Sequence, residues 1–179
     1  NLFTELKFRY KHKKFIKVFC HDFLKFNLES VLKKKTIIFG NLPYNVSSQI
    51  FVKLLRFDYW PPKYSDLILM FQKELGEKII AKFPSSNYGR LSILTNLMLD
   101  LKKKFVVSPN CFKPKPKVNS KVIKFELINQ KIQKENLDYF LNIFFKNKRK
   151  KIKSNLNIKN FIDKKLYNKR YEELKYKEI

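Results

Sequence analysis

Thr36-Ile37-Ile38-Phe39-Gly40-Asn41-Leu42-Pro43-Tyr44-Asn45-Val46-Ser47-Ser48-Gln49-Ile50 joins a strand, a turn and a helix start in one short stretch. The β-branched run Thr36 to Phe39 reads as a strand that ends at Gly40. Ser47 and Ser48 are placed to cap a helix reaching about Arg56, with Ile50, Phe51, Leu54 and Leu55 at helical spacing. A strand–turn–helix unit of this kind puts Asn41 to Tyr44 at the carboxyl end of a strand, where open α/β sheets present residues to ligands.

The pattern continues on both sides. Upstream, Phe15 to Cys20 reads as a short buried strand, preceded by a helix over Leu2–Tyr10 and followed by mixed loop and helix from Leu24 to Lys35. Downstream, Trp60-Pro61-Pro62 breaks the chain, and Asp66 to Phe71 forms an apolar third strand. A helix is predicted over Glu74–Lys82 and another near Leu91–Leu99. Strands Lys104–Val107 and Ser120–Leu127 flank the Pro-rich loop Cys111–Val118. Strands alternating with helices predict an α/β fold with a mainly parallel sheet and a hairpin-like closing pair. Past Ile128 the pattern turns wholly helical, through Glu135–Lys146 and onward, which divides the chain into domains 1–128 and 129–179. The strand-end rule then selects three places for chemistry: Asp22, Gly40–Tyr44 and Gln72–Glu74.

Composition narrows the function classes. The 179 residues carry 40 Lys+Arg against 15 Asp+Glu, a formal net charge of +25 that attracts polyanions. Nucleic acid, RNA in particular, is the expected partner. The basic residues are overwhelmingly lysine and Ala81 is the sole alanine, a composition that an AT-rich genome also produces. The densest block, Lys146-Asn147-Lys148-Arg149-Lys150-Lys151-Ile152-Lys153, reads either as a phosphate-contacting surface or as a solvated tail. With 44% hydrophobic and 16% aromatic residues, wholesale disorder is excluded. No apolar run approaches the roughly 20 residues of a membrane span. Two Cys and two His lie far from metal-ligand spacing, which fits a reducing, cytoplasmic setting without metal.

Asn41-Leu42-Pro43-Tyr44 carries the sharpest chemistry. The Asn side chain offers an acceptor and two donors, Pro43 stiffens the turn, and Tyr44 supplies a flat face for a base. Such a set can grip an exocyclic amino group. The Asn41 oxygen and the Leu42 carbonyl would accept its two N–H bonds and localise the nitrogen lone pair toward an electrophile. Positioning and electrostatics then supply the acceleration. A plain strand-to-helix turn stiffened by proline is the competing reading.

Taken together, Gly40–Ile50, Phe71-Gln72-Lys73-Glu74, Tyr88-Gly89-Arg90-Leu91-Ser92 and Phe112-Lys113-Pro114-Lys115-Pro116-Lys117-Val118-Asn119-Ser120 resemble the 16S-type small-subunit ribosomal RNA adenine dimethyltransferases. The last segment matches the family's F-x-P-x-P-x-V-x-S pattern in full, and Phe145–Leu156 is similar to its basic tail helix. The resemblance implies a Rossmann-like class I methyltransferase sheet with a small C-terminal all-helical domain that binds rRNA. It further implies transfer of methyl groups from S-adenosylmethionine to N6 of adjacent adenosines near the 3′ end of small-subunit rRNA, naked or in a pre-assembled subunit, by a monomer. Asp22 would hold the cofactor's adenine amino group, and Asn41 would touch both cofactor and target. Tyr44 would stack on a flipped adenine, with Phe112 closing from the other side. The family's Gly-rich cofactor loop and acidic ribose-binding residue are absent, so a fragment lacking its first two strands and half the cofactor pocket is expected.

Several residues keep two readings. Phe112 is either the second stacking ring or a core aromatic pinning the Pro-rich loop. Arg90 pairs with rRNA phosphate or with a local carboxylate. Gln72-Lys73-Glu74 is a substrate-side polar cluster or an exposed helix start. Cys20-His21-Asp22 is no nucleophilic triad, because neighbours in an extended segment face opposite ways. Leu42 argues against the DNA adenine methyltransferases, whose loops carry a second proline in its place. A non-catalytic assembly factor using the same basic surface is the alternative function.

Overall fold

The computed structural model describes residues 1–129, 132–133, 142, 151–154, 163–170 and 173. The chain resolves into two compact units, Asn1–Val31 and Leu32–Ile179.

The first unit opens with helix α1, Leu2–Arg9, capped by the Asn1 side chain, which accepts from Phe3 N at 3.0 Å. An Arg9–Glu5 pair at 2.8 Å spans one turn of its surface. The strand expected over Phe15–Cys20 is absent. That stretch follows a turn closed by Ile16 N donating to the Lys13 carbonyl, and Phe15 is 83% exposed. A strand exists only beside a partner edge, and the described residues of this unit contain no other strand. Phe19 and His21 instead gather round the Phe26 ring.

The second unit is built on a four-stranded sheet. Its strands are β1 (Thr36–Asn41), β3 (Tyr64–Gln72), β4 (Leu99–Val107) and β5 (Ser120–Leu127), in spatial order β1-β3-β5-β4. A second ribbon pairs β2 (Tyr59–Trp60) with β6 (Ile132–Gln133). The sheet is mixed, which corrects the mainly parallel expectation: β1 and β3 are parallel, while β5 runs antiparallel to both β3 and β4. The reason is topological. The loop over residues 108–119 turns the chain back, and β5 inserts between β3 and β4. The closing pair β4–β5 is the expected hairpin-like one.

Helices cover the sheet through their apolar stripes. In α2 (Ser47–Leu55), the buried residues Ile50, Phe51, Leu54 and Leu55 recur at three- and four-residue spacing. Phe51 packs edge-on to Phe71 of β3 at 5.5 Å and against Phe125 of β5 at 5.8 Å. Its helix is capped by neither serine; Ser47 Oγ donates back to the Tyr44 carbonyl at 3.0 Å and so binds the turn to the helix. Helix α3 (Lys73–Ile79) packs on β3, β5 and α4 (Arg90–Met98). At the amino end of α4, Ser92 Oγ accepts from Gly89 N at 2.8 Å. Beneath them, Tyr64 is buried and donates to the Leu54 carbonyl, and burial holds its phenol far above the ordinary range.

Two further departures have simple causes. Strand β4 begins at Leu99, well before the expected Lys104, because Lys102–Lys104 lie on a sheet edge where lysines are tolerated and block further pairing. The expectation of wholly helical structure past Ile128 fails at β6, whose residues pair with β2 while Trp60 Nε1 donates to the Ile128 carbonyl at 3.2 Å. The helix expected over Glu135–Lys146 lies outside the described residues. Across β3, β5 and β4 runs a ladder of alternating charge: Asp66–Lys124 at 3.0 Å, Lys124–Glu126 at 3.4 Å, Lys102–Glu126 at 3.2 Å and Lys102–Asp100 at 2.8 Å. No helix among the described residues is long and apolar enough to cross a membrane.

Candidate active site

The parallel pair β1–β3 ends at Asn41 and Met70, and the chain leaves the sheet there. Gly40 is closely packed: a Cβ would stand 2.8 Å from both Leu42 Cδ2 and Leu69 Cδ2, so one of those side chains would have to shift. Leu42 therefore folds back over the strand end while Asn41 projects outward. Asn41 and Pro43 are exposed, and Leu42 and Tyr44 are half-buried. Among the described residues the Asn41 amide has no hydrogen-bond partner, so its acceptor and both donors are open to a ligand.

Tyr44 is anchored at both ends. Its carbonyl takes the Ser47 hydroxyl, and its own hydroxyl lies 2.6 Å from Ser120 Oγ. Ser120 is fully buried at the start of β5. The ring is thereby fixed against the sheet, a condition for a stacking platform. In the sequence Ser120 reads as the last residue of the F-x-P-x-P-x-V-x-S segment and the first of a strand, with no task of its own. The bond joins residues far apart in the chain, and no local periodicity signals it.

Phe112 enters on the loop that Ser120 closes. It follows a short 3₁₀ turn, Pro109–Cys111, and is half-buried, with its N–H donating to the Pro109 carbonyl at 3.2 Å. Arg90 is exposed at the first position of α4. Gln72 ends β3, and Lys73 and Glu74 open α3. The Lys78 ammonium holds the Glu74 carboxyl below the usual carboxylate range. Behind them Lys121 lies buried with its stem across Gly76 and its Nζ 3.3 Å from Glu77 Oε1. Lys121 gives no signal in the sequence either, since it reads as an ordinary surface lysine in a basic chain.

Asp22 belongs to the first unit and is described with it. Its Oδ1 accepts from Leu24 N at 2.9 Å, in a turn also closed by Lys25 N and Phe26 N on the Asp22 carbonyl. Of the basic run, Lys148, Arg149 and Lys150 lie outside the described residues. Lys151 is exposed and pairs across an antiparallel bridge with Arg170, and Lys153 N donates to the Tyr167 carbonyl at 3.0 Å. Two cationic segments thus lie side by side. Cys20 and Cys111 are free and exposed, and no group of three metal-ligating side chains occurs among the described residues.

The chain as a whole is similar to known proteins. The family model described as ribosomal RNA adenine dimethylase matches residues 1–176. A ribosomal RNA small subunit methyltransferase A from Pelagibacter ubique (strain HTCC1062) is 38% identical over 148 residues, covering 79% of this chain and 55% of that relative. One from Malacoplasma penetrans (strain HF-2) is 39% identical over 163 residues, covering 89% and 56%. The chain thus spans about half the length of the curated relatives it matches. Among solved structures, a dimethyladenosine transferase from Plasmodium falciparum superposes with a TM-score of 0.74 at 24% identity, covering 98% of this chain and 74% of that one. The 23S rRNA methyltransferase ErmE superposes with a TM-score of 0.60 at 19% identity, covering 96% and 74%. These superpositions establish a Rossmann-like methyltransferase fold. Fold and sequence agree, and the chain belongs to the ribosomal RNA adenine dimethylase family.

Proposed function

We propose that this chain serves an S-adenosylmethionine-dependent transferase that dimethylates N6 of adjacent adenosines near the 3′ end of small-subunit rRNA. The observation that carries the reading is the Asn41–Tyr44 turn, an open amide beside a tyrosine ring that Ser120 immobilises. Asn41 Oδ1 and the Leu42 carbonyl accept the N–H bonds of the target amine. Tyr44 holds the adenine ring by stacking, and Phe112 covers its other face. Electrostatic localisation of the lone pair, with the amine held in line, is the source of rate.

The residues present suit the methyl donor. The Asp22 carboxylate is exposed and has one oxygen free of hydrogen bonds among the described residues, as acceptance from an adenine amino group needs. The Asn41 amide is open in the same way. When bound, S-adenosylmethionine supplies an electrophilic methyl group. Residues 129–179 form the rRNA-binding portion, with Lys148, Arg149, Lys150 and Lys151 on phosphates and Arg90 as a further phosphate contact.

The test is transfer of labelled methyl from S-adenosylmethionine to small ribosomal subunits that lack the modification. Label recovered as N6,N6-dimethyladenine is expected. Tight subunit binding without any label would replace this reading with that of a non-catalytic assembly factor.

A further inference from the structure

A concavity lies at the carboxyl end of β3. This groove of about 470 Å³ runs between the start of α3 and the Pro-rich loop, with Gln72, Lys73, Glu74, Glu77, Lys117 and Asn119 on its walls. Its position relative to Tyr44 is fixed by direct links. Gln72 pairs in register with Ser120, whose Oγ meets the Tyr44 hydroxyl at 2.6 Å. The two walls are tied together by Lys73 N, which donates to the Asn119 carbonyl at 2.9 Å. The groove therefore adjoins the hydroxyl end of the Tyr44 ring.

Its charge is less balanced than its composition suggests. Glu74 is paired with Lys78 at 2.7 Å, and Glu77 with the buried Lys121 at 3.3 Å. Both carboxylates are thus neutralised from outside the groove. Lys73 and Lys117 are exposed, stand on opposite walls, and have no ion-pair partner among the described residues. The primary amides of Gln72 and Asn119 line the same groove. Two cations together with neutral donor–acceptor groups in one groove match a ligand that carries both anions and hydroxyls along its length.

We propose that this groove is the track for the RNA strand flanking the adenine received by Tyr44. Lys73 and Lys117 contact its phosphates, and the Gln72 and Asn119 amides contact its sugar hydroxyls. The inference rests on the rRNA function proposed above and adds the path of the strand beside the target base.

The experiment measures binding of the full chain to an oligoribonucleotide of the rRNA 3′ segment containing the adjacent adenines, across a salt series. Each phosphate engaged on a single strand contributes about 0.7 to the slope of log affinity against log salt, so K73Q/K117Q should lower the slope by about 1.4 and weaken binding about 25-fold at about 0.1 M salt. The control K33Q/K34Q removes the same charge from the exposed turn before β1 and should cost far less. In a second arm, neutral methylphosphonates replace the linkages flanking the target adenines. That probe should weaken the unaltered protein and leave the K73Q/K117Q variant nearly unaffected. An equal loss in the control, or equal sensitivity of both proteins to methylphosphonate, would overturn the inference. Failure of the unaltered protein to bind the unmodified oligonucleotide would instead remove the rRNA function itself, and the track with it.

Discussion

The Tyr44 hydroxyl and the Ser120 hydroxyl meet at 2.6 Å across 76 positions of sequence, joining the turn after β1 to the first residue of β5. This bond holds a half-buried ring in one orientation beside an open amide. Ser120→Ala should cost about 1 kcal/mol of stability in urea unfolding, the ordinary worth of one such bond. Methyl transfer should fall by more than that loss explains, because the ring regains rotational freedom. Unchanged transfer in a folded Ser120→Ala protein would show that the anchored ring does not matter to the reaction.

Asn41 separates chemistry from binding. Under the function proposed above, Asn41→Ala removes the acceptor offered to the target amine while leaving the basic surface intact. Methyl transfer should drop by about 10²-fold or more, in line with the loss of a preorganised polar group. The Kd for rRNA should move little. Parallel losses in transfer and affinity would contradict the division of roles.

Gly40 limits what the strand end tolerates. Gly40→Ala places a methyl 2.8 Å from Leu42 Cδ2 and Leu69 Cδ2. Leu69 is fully buried, so Leu42 is the group that must give way. Overpacking of this kind costs about 1–3 kcal/mol. Leu42→Ala in the same chain should restore much of the stability, which thermal melts of the single and double variants would read.

The charge ladder predicts an acid-sensitive sheet. Ser65 and Lys124 hydrogen-bond the Asp66 carboxylate and lower its pKa from 3.8. A carboxyl lowered by folding contributes its stability above the unfolded value and loses it as pH falls through the folded one. Unfolding free energy should therefore decline below about pH 4. Asp66→Asn should be less stable at neutral pH and show a shallower decline. Identical acid profiles in the two proteins would remove Asp66 from the account.

The proposed function gives Lys148, Arg149, Lys150 and Lys151 a part in affinity alone. Replacing all four with Gln should weaken rRNA binding and lower the salt slope by about 0.7–0.9 for each phosphate no longer neutralised. An unchanged slope would return the run to a solvated tail.

The β1–turn–α2 unit is legible in the sequence because each of its parts leaves a local mark: a β-branched run, Gly40 and Pro43 as punctuation, then helical spacing from Ile50 to Leu55. Phe15–Cys20 leaves a similar mark and is no strand, since pairing is decided by a neighbour that the local sequence does not contain. Lys102–Lys104 hide half of β4 by breaking its apolar pattern at a sheet edge. Strand direction is hidden for the same reason, as the insertion of β5 beside β3 is set by pairings such as Phe71 with Lys121. In the site, Asn41 to Tyr44 stand out from the chemistry of one turn. Ser120 and Lys121 do not, because each acts on a partner distant in sequence.

The interior place of β5 also governs how the chain comes to life. Among the described strands of its sheet, Ser120–Leu127 is the last to be synthesised, yet both β3 and β4 depend on it for their edges. Until that segment leaves the ribosome, Leu67, Leu69 and Phe71 sit on a strand with one side unpaired. Closure of the sheet is therefore a late event dominated by long-range pairing, slow by its topology and exposed to aggregation while it waits. A nascent chain halted before Ser120 would lack the anchor of Tyr44 along with the interior strand, leaving edges of β3 and β4 open to other chains.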